Sequence, residues 1–183
     1  MDYSIEGTPG FAFVHVDLAP GETLVSEASA MASMSADLPM KATFNGGLFS
    51  GVVKRFFGGE SMFVNRYRNS AREARRVTLT TRAPGYIRAL ELKNETFYLQ
   101  SGAFLAATEG IKLGVSWDGF RSLLLHEGLF RLKVSGTGTV FYGSFGGLLE
   151  KQVQGQYVVD TGHLVGFDPG LRLKIGMAGE IGR

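Results

Sequence analysis

ETFYLQSGAFLAAT, residues 95–108, is an apolar and aromatic run interrupted by Ser101-Gly102. Glycine accepts positive φ at little cost, and the flanking residues suit a pleated strand, so the stretch predicts strand, tight turn, strand. It aligns without gaps on GQYVVDTGHLVGFD, residues 155–168, with Phe97 on Tyr157, Gly102 on Gly162 and Phe104 on Leu164. GETLVSEASAMAS, residues 21–33, is a weaker third copy with Glu27-Ala28 at the turn, and GGLF at 46–49 echoes GGLL at 146–149. No single unit of this kind can bury its own apolar face, so two or three must pack together. The expectation is one β-sandwich domain over 1–183 with pseudo-repeated halves, about 1–110 and 111–183.

The rest of the chain keeps the same rhythm. In FAFVHVDL, Phe11, Phe13, His15 and Asp17 alternate with Ala12, Val14, Val16 and Leu18. LFRLKV sets Phe130, Leu132 and Val134 against Leu129, Arg131 and Lys133, and RRVTLTTR turns Val77 and Leu79 inward. Period two marks half-buried strands. Ala83-Pro84-Gly85-Tyr86 reads as a turn, with proline presetting φ and glycine supplying positive φ. With 26 glycines and 14 phenylalanines in 183 residues, the composition agrees with an all-β fold of many turns.

One stretch departs from this pattern. GGLFSGVVKRFFGGESMF, residues 46–63, places Leu48, Phe49, Val52, Val53, Phe56 and Phe57 on one half of a helical wheel, and Ser50, Gly51, Lys54 and Arg55 on the other. It predicts a short amphipathic helix over 48–57 bracketed by paired glycines. A helix this short is marginal alone, so its apolar face needs a cover: the sandwich, another subunit or lipid. The same residues are therefore the candidates for an interface or a membrane contact, with Lys54 and Arg55 placed to meet anionic head groups.

The net charge of +2 conceals an asymmetry. Residues 46–88 hold nine basic side chains against two acidic ones, a balance of +7, and the remainder carries 10 basic against 15 acidic, or −5. Arg66, Arg68, Arg72, Arg75 and Arg76 are the candidate anion contacts, either to nucleic acid or as a solvated basic face. No recognised single-stranded RNA signature accompanies them.

Motifs for catalysis fail on inspection. No Gly-Lys-Ser/Thr completes a phosphate loop, and GTGTVF at 136–141 has Phe141 where a dinucleotide fingerprint needs glycine. In GSFG at 143–146 the glycine directly precedes the serine, unlike a nucleophile elbow. The chain has no cysteine, which removes disulfides, thiol nucleophiles and thiolate-ligated zinc. His15 and Asp17 share a strand face that His163 could join, the one arrangement from which a metal site could be built. Glu91/Glu95 and Asp2/Glu6 lack the apolar setting of an acid–base dyad. The expectation is a non-enzymatic protein without cofactor or metal. The N-terminus lacks the basic and apolar regions of a secretory signal, and no run is long enough for a membrane-spanning helix, which gives a cytoplasmic location as the default.

Three blocks in order, GGLFSGVVKRFFGGESMFVNRY, FYLQSGAFLAAT and LLEKQV with YVVDTGHLVGFD, resemble the altered-inheritance-of-mitochondria family across about Tyr3 to Ile175. The resemblance implies a fold similar to the trp RNA-binding attenuation protein, a sandwich of double-stranded β-helix type, assembled as a homo-oligomer, with a trimer favoured. It also implies a protein that is soluble or peripheral to the inner membrane, with no catalytic residues to carry over. Relatives continue past GLRLKIGMAGEIGR with a hairpin and a final strand, so the resemblance implies either a naturally short member or a truncated form lacking a C-terminal segment. The leading function is an oligomeric scaffold or adaptor near a membrane surface. Nucleic-acid binding through 54–88 is the alternative, and small-ligand or metal binding in a cupin-like sandwich the second alternative.

Overall fold

In the computed structural model the described residues are 1–44, 63–100, 102–116 and 131–174. The amphipathic stretch 48–57, with all eight of its interface candidates, lies outside them, as do Leu129 and Phe130.

Twelve strands and one three-residue 3-10 turn, Thr161–His163, make up the regular structure among the described residues. Strands β1 (Asp2–Glu6), β2 (Phe13–Leu18), β7 (Arg75–Thr80) and β4 (Met31–Met34) form a four-stranded antiparallel sheet in the order β1-β2-β7-β4. A second sheet runs β12-β8-β11-β9-β3-β6-β5, with β10 also on β11. Its strands are β3 (Thr23–Glu27), β5 (Met40–Phe44), β6 (Phe63–Arg68), β8 (Gly85–Gln100), β9 (Phe104–Thr108), β10 (Ile111–Ser116), β11 (Arg131–Phe145) and β12 (Gly166–Phe167). The protein is therefore an all-β sandwich of antiparallel sheets, as its alternating patterns predict.

The alternation in β2 is strict: Ala12, Val14, Val16 and Leu18 are fully buried, while Phe11 and Phe13 face out. They join Val77 and Leu79 of β7, Leu24 of β3, Tyr67 of β6 and Phe141 of β11 in one core between the two sheets. A β-bulge opposite Phe141 and Tyr142 turns both Leu105 and Ala106 towards this core. Phe104 and Ala107 thereby reach a second core on the other side.

That second core exists because a ribbon doubles over. Gln100 pairs with Arg131, whereas Phe104 pairs with Tyr142. On a straight β11 those two sites would lie about 36 Å apart, but the chain from residue 100 to 104 reaches at most about 14 Å. The strands must fold back, and all bend at one level. Asn94 of β8 has φ 60°, Gly136 and Gly138 of β11 have φ 127° and 145°, and Glu109-Gly110 separates β9 from β10. Leu132 and Val134 from one half of β11 then close on Val140 and Tyr142 from the other, with Leu92 and Leu99 beside them.

The repeats meet different fates. Residues 95–108 are strand, turn and strand with Gly102 at φ 88°, but β8 and β9 do not pair, because β11 lies between them. In the copy at 21–33, β3 and β4 likewise pass to different sheets. The copy at 155–168 does not make strand-turn-strand; its turn pair lies in the 3-10 helix capped by Asp160, and only Gly166–Phe167 is strand. A local alignment carries turn chemistry but not the partner that completes a ladder, and partners here come from far along the chain.

Candidate interaction surface

The basic segment is largely occupied by the chain's own carboxylates. Arg76 of β7 donates from Nε to Asp17 Oδ1 at 2.8 Å and from Nη2 to Oδ2 at 2.6 Å, a two-point pair across the β2–β7 ladder. Hydrogen bonding from Arg76 holds the Asp17 carboxyl below its usual range, despite partial desolvation. Arg75 reaches Asp37 at 2.8 Å and Glu73 at 3.5 Å, and Arg66 reaches Glu109 at 3.2 Å. Arg82 pairs with Glu27, and Arg88 with Glu150 at 2.5 Å. Arg68 and Arg72 are exposed and form no ion pair among the described residues. Of the five candidate anion contacts, the structure thus leaves two uncommitted.

His15 and His163 have separate partners. His15 Nδ1 lies 2.9 Å from Thr78 Oγ1 and its Nε2 3.8 Å from Glu6, while His163 contacts Asp160 at 3.2 Å. Asp17 is engaged by Arg76. Among the described residues no three metal-ligating side chains gather in one place.

Sequence reasoning missed a different surface. After β11 and a single bridge from Gly146 to Gly85, the chain runs as an arm without ladder pairing from Gly147 to Val165. It is pinned at one end by Gly146 N–H donating to the Pro84 carbonyl, and at the other by the Val165 carbonyl accepting from Gln100 N–H. Leu148 packs on the second core. Between these anchors, residues 147–159 make no backbone hydrogen bond among the described residues. Leu149 is 84% exposed, Tyr157 53%, Val158 62% and Val159 42%. Phe145 (82%) and Phe11 (69%), both paired to Gly85, are further exposed apolar side chains. The signal is present in the sequence as YVVD, but its likeness to a strand in a repeat conceals that no described residue pairs with it.

Beyond the arm, Phe167 of β12 stacks on Tyr98 at 5.2 Å between ring centroids, and the Arg131 guanidinium lies 4.9 Å from the same ring. Burial lowers the Arg131 pKa and raises that of Tyr142. This layering fixes β12 on the outer edge of β8. An open cleft of about 450 Å³ runs alongside, bordered by Leu90, Leu92 and Phe97, with Lys133 and Asp168 at its rim.

Compared with known families, residues 3–183 match the model described as mitochondrial biogenesis AIM24. The chain belongs to the AIM24 family. That is the family its three sequence blocks resemble. A curated relative of the AIM24 chain, an uncharacterised protein of Streptococcus pyogenes serotype M6, is 26% identical over 195 residues, covering 100% of this chain and 78% of the relative. A crystal structure of a Streptococcus pyogenes protein superposes with a TM-score of 0.61 at 28% identity. The match takes in 80% of the AIM24 chain, which spans 65% of that structure's length. Neither description assigns an activity. No helix among the described residues of the AIM24 chain is long and apolar enough to cross a membrane, which does not bear on β-barrels.

Proposed function

We propose that this AIM24 chain is a non-enzymatic scaffold or adaptor that works as a homo-oligomer, with a trimer as its closed form. The observation that supports the reading is the arm at 147–159, whose backbone groups lack hydrogen-bond partners among the described residues while Leu149, Val158 and Val159 stand exposed. Exposed apolar surface beside polar backbone without a ladder is what protein–protein contacts cover. The commitment of Arg66, Arg75 and Arg76 to internal carboxylates also favours protein contact over anion binding.

Light scattering and sedimentation across a wide concentration range test this directly. A stable oligomer at micromolar chain concentration supports the reading, and a monomer at every concentration overturns it. We also propose a cytoplasmic location peripheral to a membrane, and the membrane part rests on the pattern of 48–57. Co-sedimentation with phosphatidylglycerol-containing vesicles, compared with pure phosphatidylcholine vesicles, tests it. Binding to the anionic vesicles that Phe56→Asp removes supports membrane contact; failure to bind them sinks that part while leaving the scaffold intact.

A further inference from the structure

We infer that residues 156–160 of the arm, Gln-Tyr-Val-Val-Asp, add as a strand to the outer edge of β8 in a second copy of this chain. The inference rests on the oligomeric reading and specifies the contact that builds it.

Both halves of the contact are present on one chain. The donor half is Tyr157-Val158-Val159, aromatic and β-branched residues suited to a pleated strand, exposed and without backbone partners among the described residues. Gly155, with φ 78°, breaks the arm just before this segment and sets it off as a five-residue unit, a common strand length. The acceptor half is β8. On its side away from β11 it pairs with β12 only at Tyr98 and Leu99, so residues 86–97 have no ladder partner there among the described residues. β12 is antiparallel to β8 and shows that this edge accepts a strand; an added strand would extend the same row. The cleft beside the edge offers Leu90, Leu92 and Phe97 to the alternate side chains of an incoming strand.

The second copy, rather than the arm's own β8, is the occupant for a geometric reason. The arm is anchored at Pro84 and at Gln100, and Arg88 holds Glu150, yet with these restraints satisfied 156–160 still stands in solvent. One donor and one acceptor per chain make a head-to-tail contact, which closes into a ring when the rotation permits. It also covers two edges that would otherwise invite uncontrolled pairing.

The absence of native cysteine makes the test clean. Val158→Cys and Glu91→Cys are prepared as separate proteins, mixed and oxidised. A mixed disulfide between chains is expected, well above the yield from pairing Val158→Cys with Lys112→Cys on the separate edge of β10. Val158→Pro, which removes an N–H from a segment outside both cores, is expected to weaken association at least tenfold while leaving the far-ultraviolet spectrum and thermal midpoint of the monomer unchanged. Three outcomes overturn the inference. The first is an oligomer unaffected by Val158→Pro. The second is cross-linking to β10 instead of β8. The third is a disulfide formed only within one chain when both cysteines are on it. Each of these leaves the oligomeric reading standing, whereas a wild-type monomer at all concentrations removes both.

Discussion

Thr108 occupies the space that a side chain on Gly138 would need: a Cβ placed there stands 2.1 Å from Thr108 Oγ1. That hydroxyl accepts a hydrogen bond from Thr139 N–H at 3.0 Å, so the approach is part of the bend itself. Gly136, two residues earlier, would meet the backbone carbonyl of Gly110 at 2.2 Å. A side chain can yield where a backbone carbonyl cannot. Gly138→Ala is therefore expected to destabilise by about 1–3 kcal/mol, with part of the loss recovered in the Thr108→Ala background. Gly136→Ala should lose a similar or greater amount with no recovery. Urea unfolding of the three single and two double variants measures both couplings.

Phe141 and Phe145 lie four residues apart on β11 with opposite surroundings, one fully buried between the sheets and the other 82% exposed. Phe141→Ala should cost about 3–5 kcal/mol. Phe145→Ala should change monomer stability by no more than about 0.5 kcal/mol. Chemical denaturation at concentrations below any association gives the comparison.

Asn69 is buried and ties three pieces of backbone together. Its Nδ2 donates to the carbonyls of Leu18 and Glu73, each at 2.8 Å, and its Oδ1 accepts from Ala71 N–H at 2.9 Å. Asn69→Ala leaves these groups unpaired, at about 1–3 kcal/mol for each one that water cannot reach. Asn69→Asp should be worse than its similar shape suggests, because a carboxylate faces two carbonyl oxygens. Thermal melts of both variants test the order.

The Asp17–Arg76 pair makes a pH-dependent contribution of known sign. The folded Asp17 pKa lies below its ordinary 3.8, so the pair's contribution is complete above that value and is lost as pH falls through the lowered folded value. Acid unfolding followed by circular dichroism should move to higher pH in Arg76→Ala. The effect is small, since Asp17 and Arg76 are 34% and 58% exposed and solvent screens them. An unchanged acid midpoint would show that the pair contributes nothing.

If the basic segment binds polyanions at all, the uncommitted arginines must carry the binding. Arg68→Gln with Arg72→Gln should reduce low-salt affinity for single-stranded RNA more than Arg75→Gln with Arg76→Gln, and should flatten the salt dependence. Anisotropy titrations at several salt concentrations distinguish the two. Equal losses would mean that the internal ion pairs open to serve a ligand.

Much of the fold was legible because burial follows period two. The four inward residues of β2, together with Val77, Leu79, Leu132 and Val134, lie where alternation places them. Arg131 was assigned outward but is 8% exposed, because β12 folds over it and its stem and guanidinium lie against Phe167. Strand pairing was not legible. Ser101-Gly102 resembles a hairpin turn, and only the distant β11 determines that its flanking strands do not meet. The candidate surface fared similarly: charge counting found the arginines but not the carboxylates that neutralise them. Nothing in YVVD distinguishes a strand with a neighbour from one without.

The doubled ribbon also constrains how the chain can be made. Phe141 completes the first core, and β11 supplies the ladder that joins β8 to β9. A nascent chain of 110 residues already holds every buried residue of the first core except Phe141, but it lacks the strand that joins β8 to β9. Until β11 is made the second core, which takes Leu132, Val134, Val140 and Tyr142 from it, stays open, and contacts so distant in sequence form slowly. Synthesis should therefore be the stage at which this protein depends most on chaperones, and a stop codon anywhere before β11 should yield aggregates rather than a smaller folded domain.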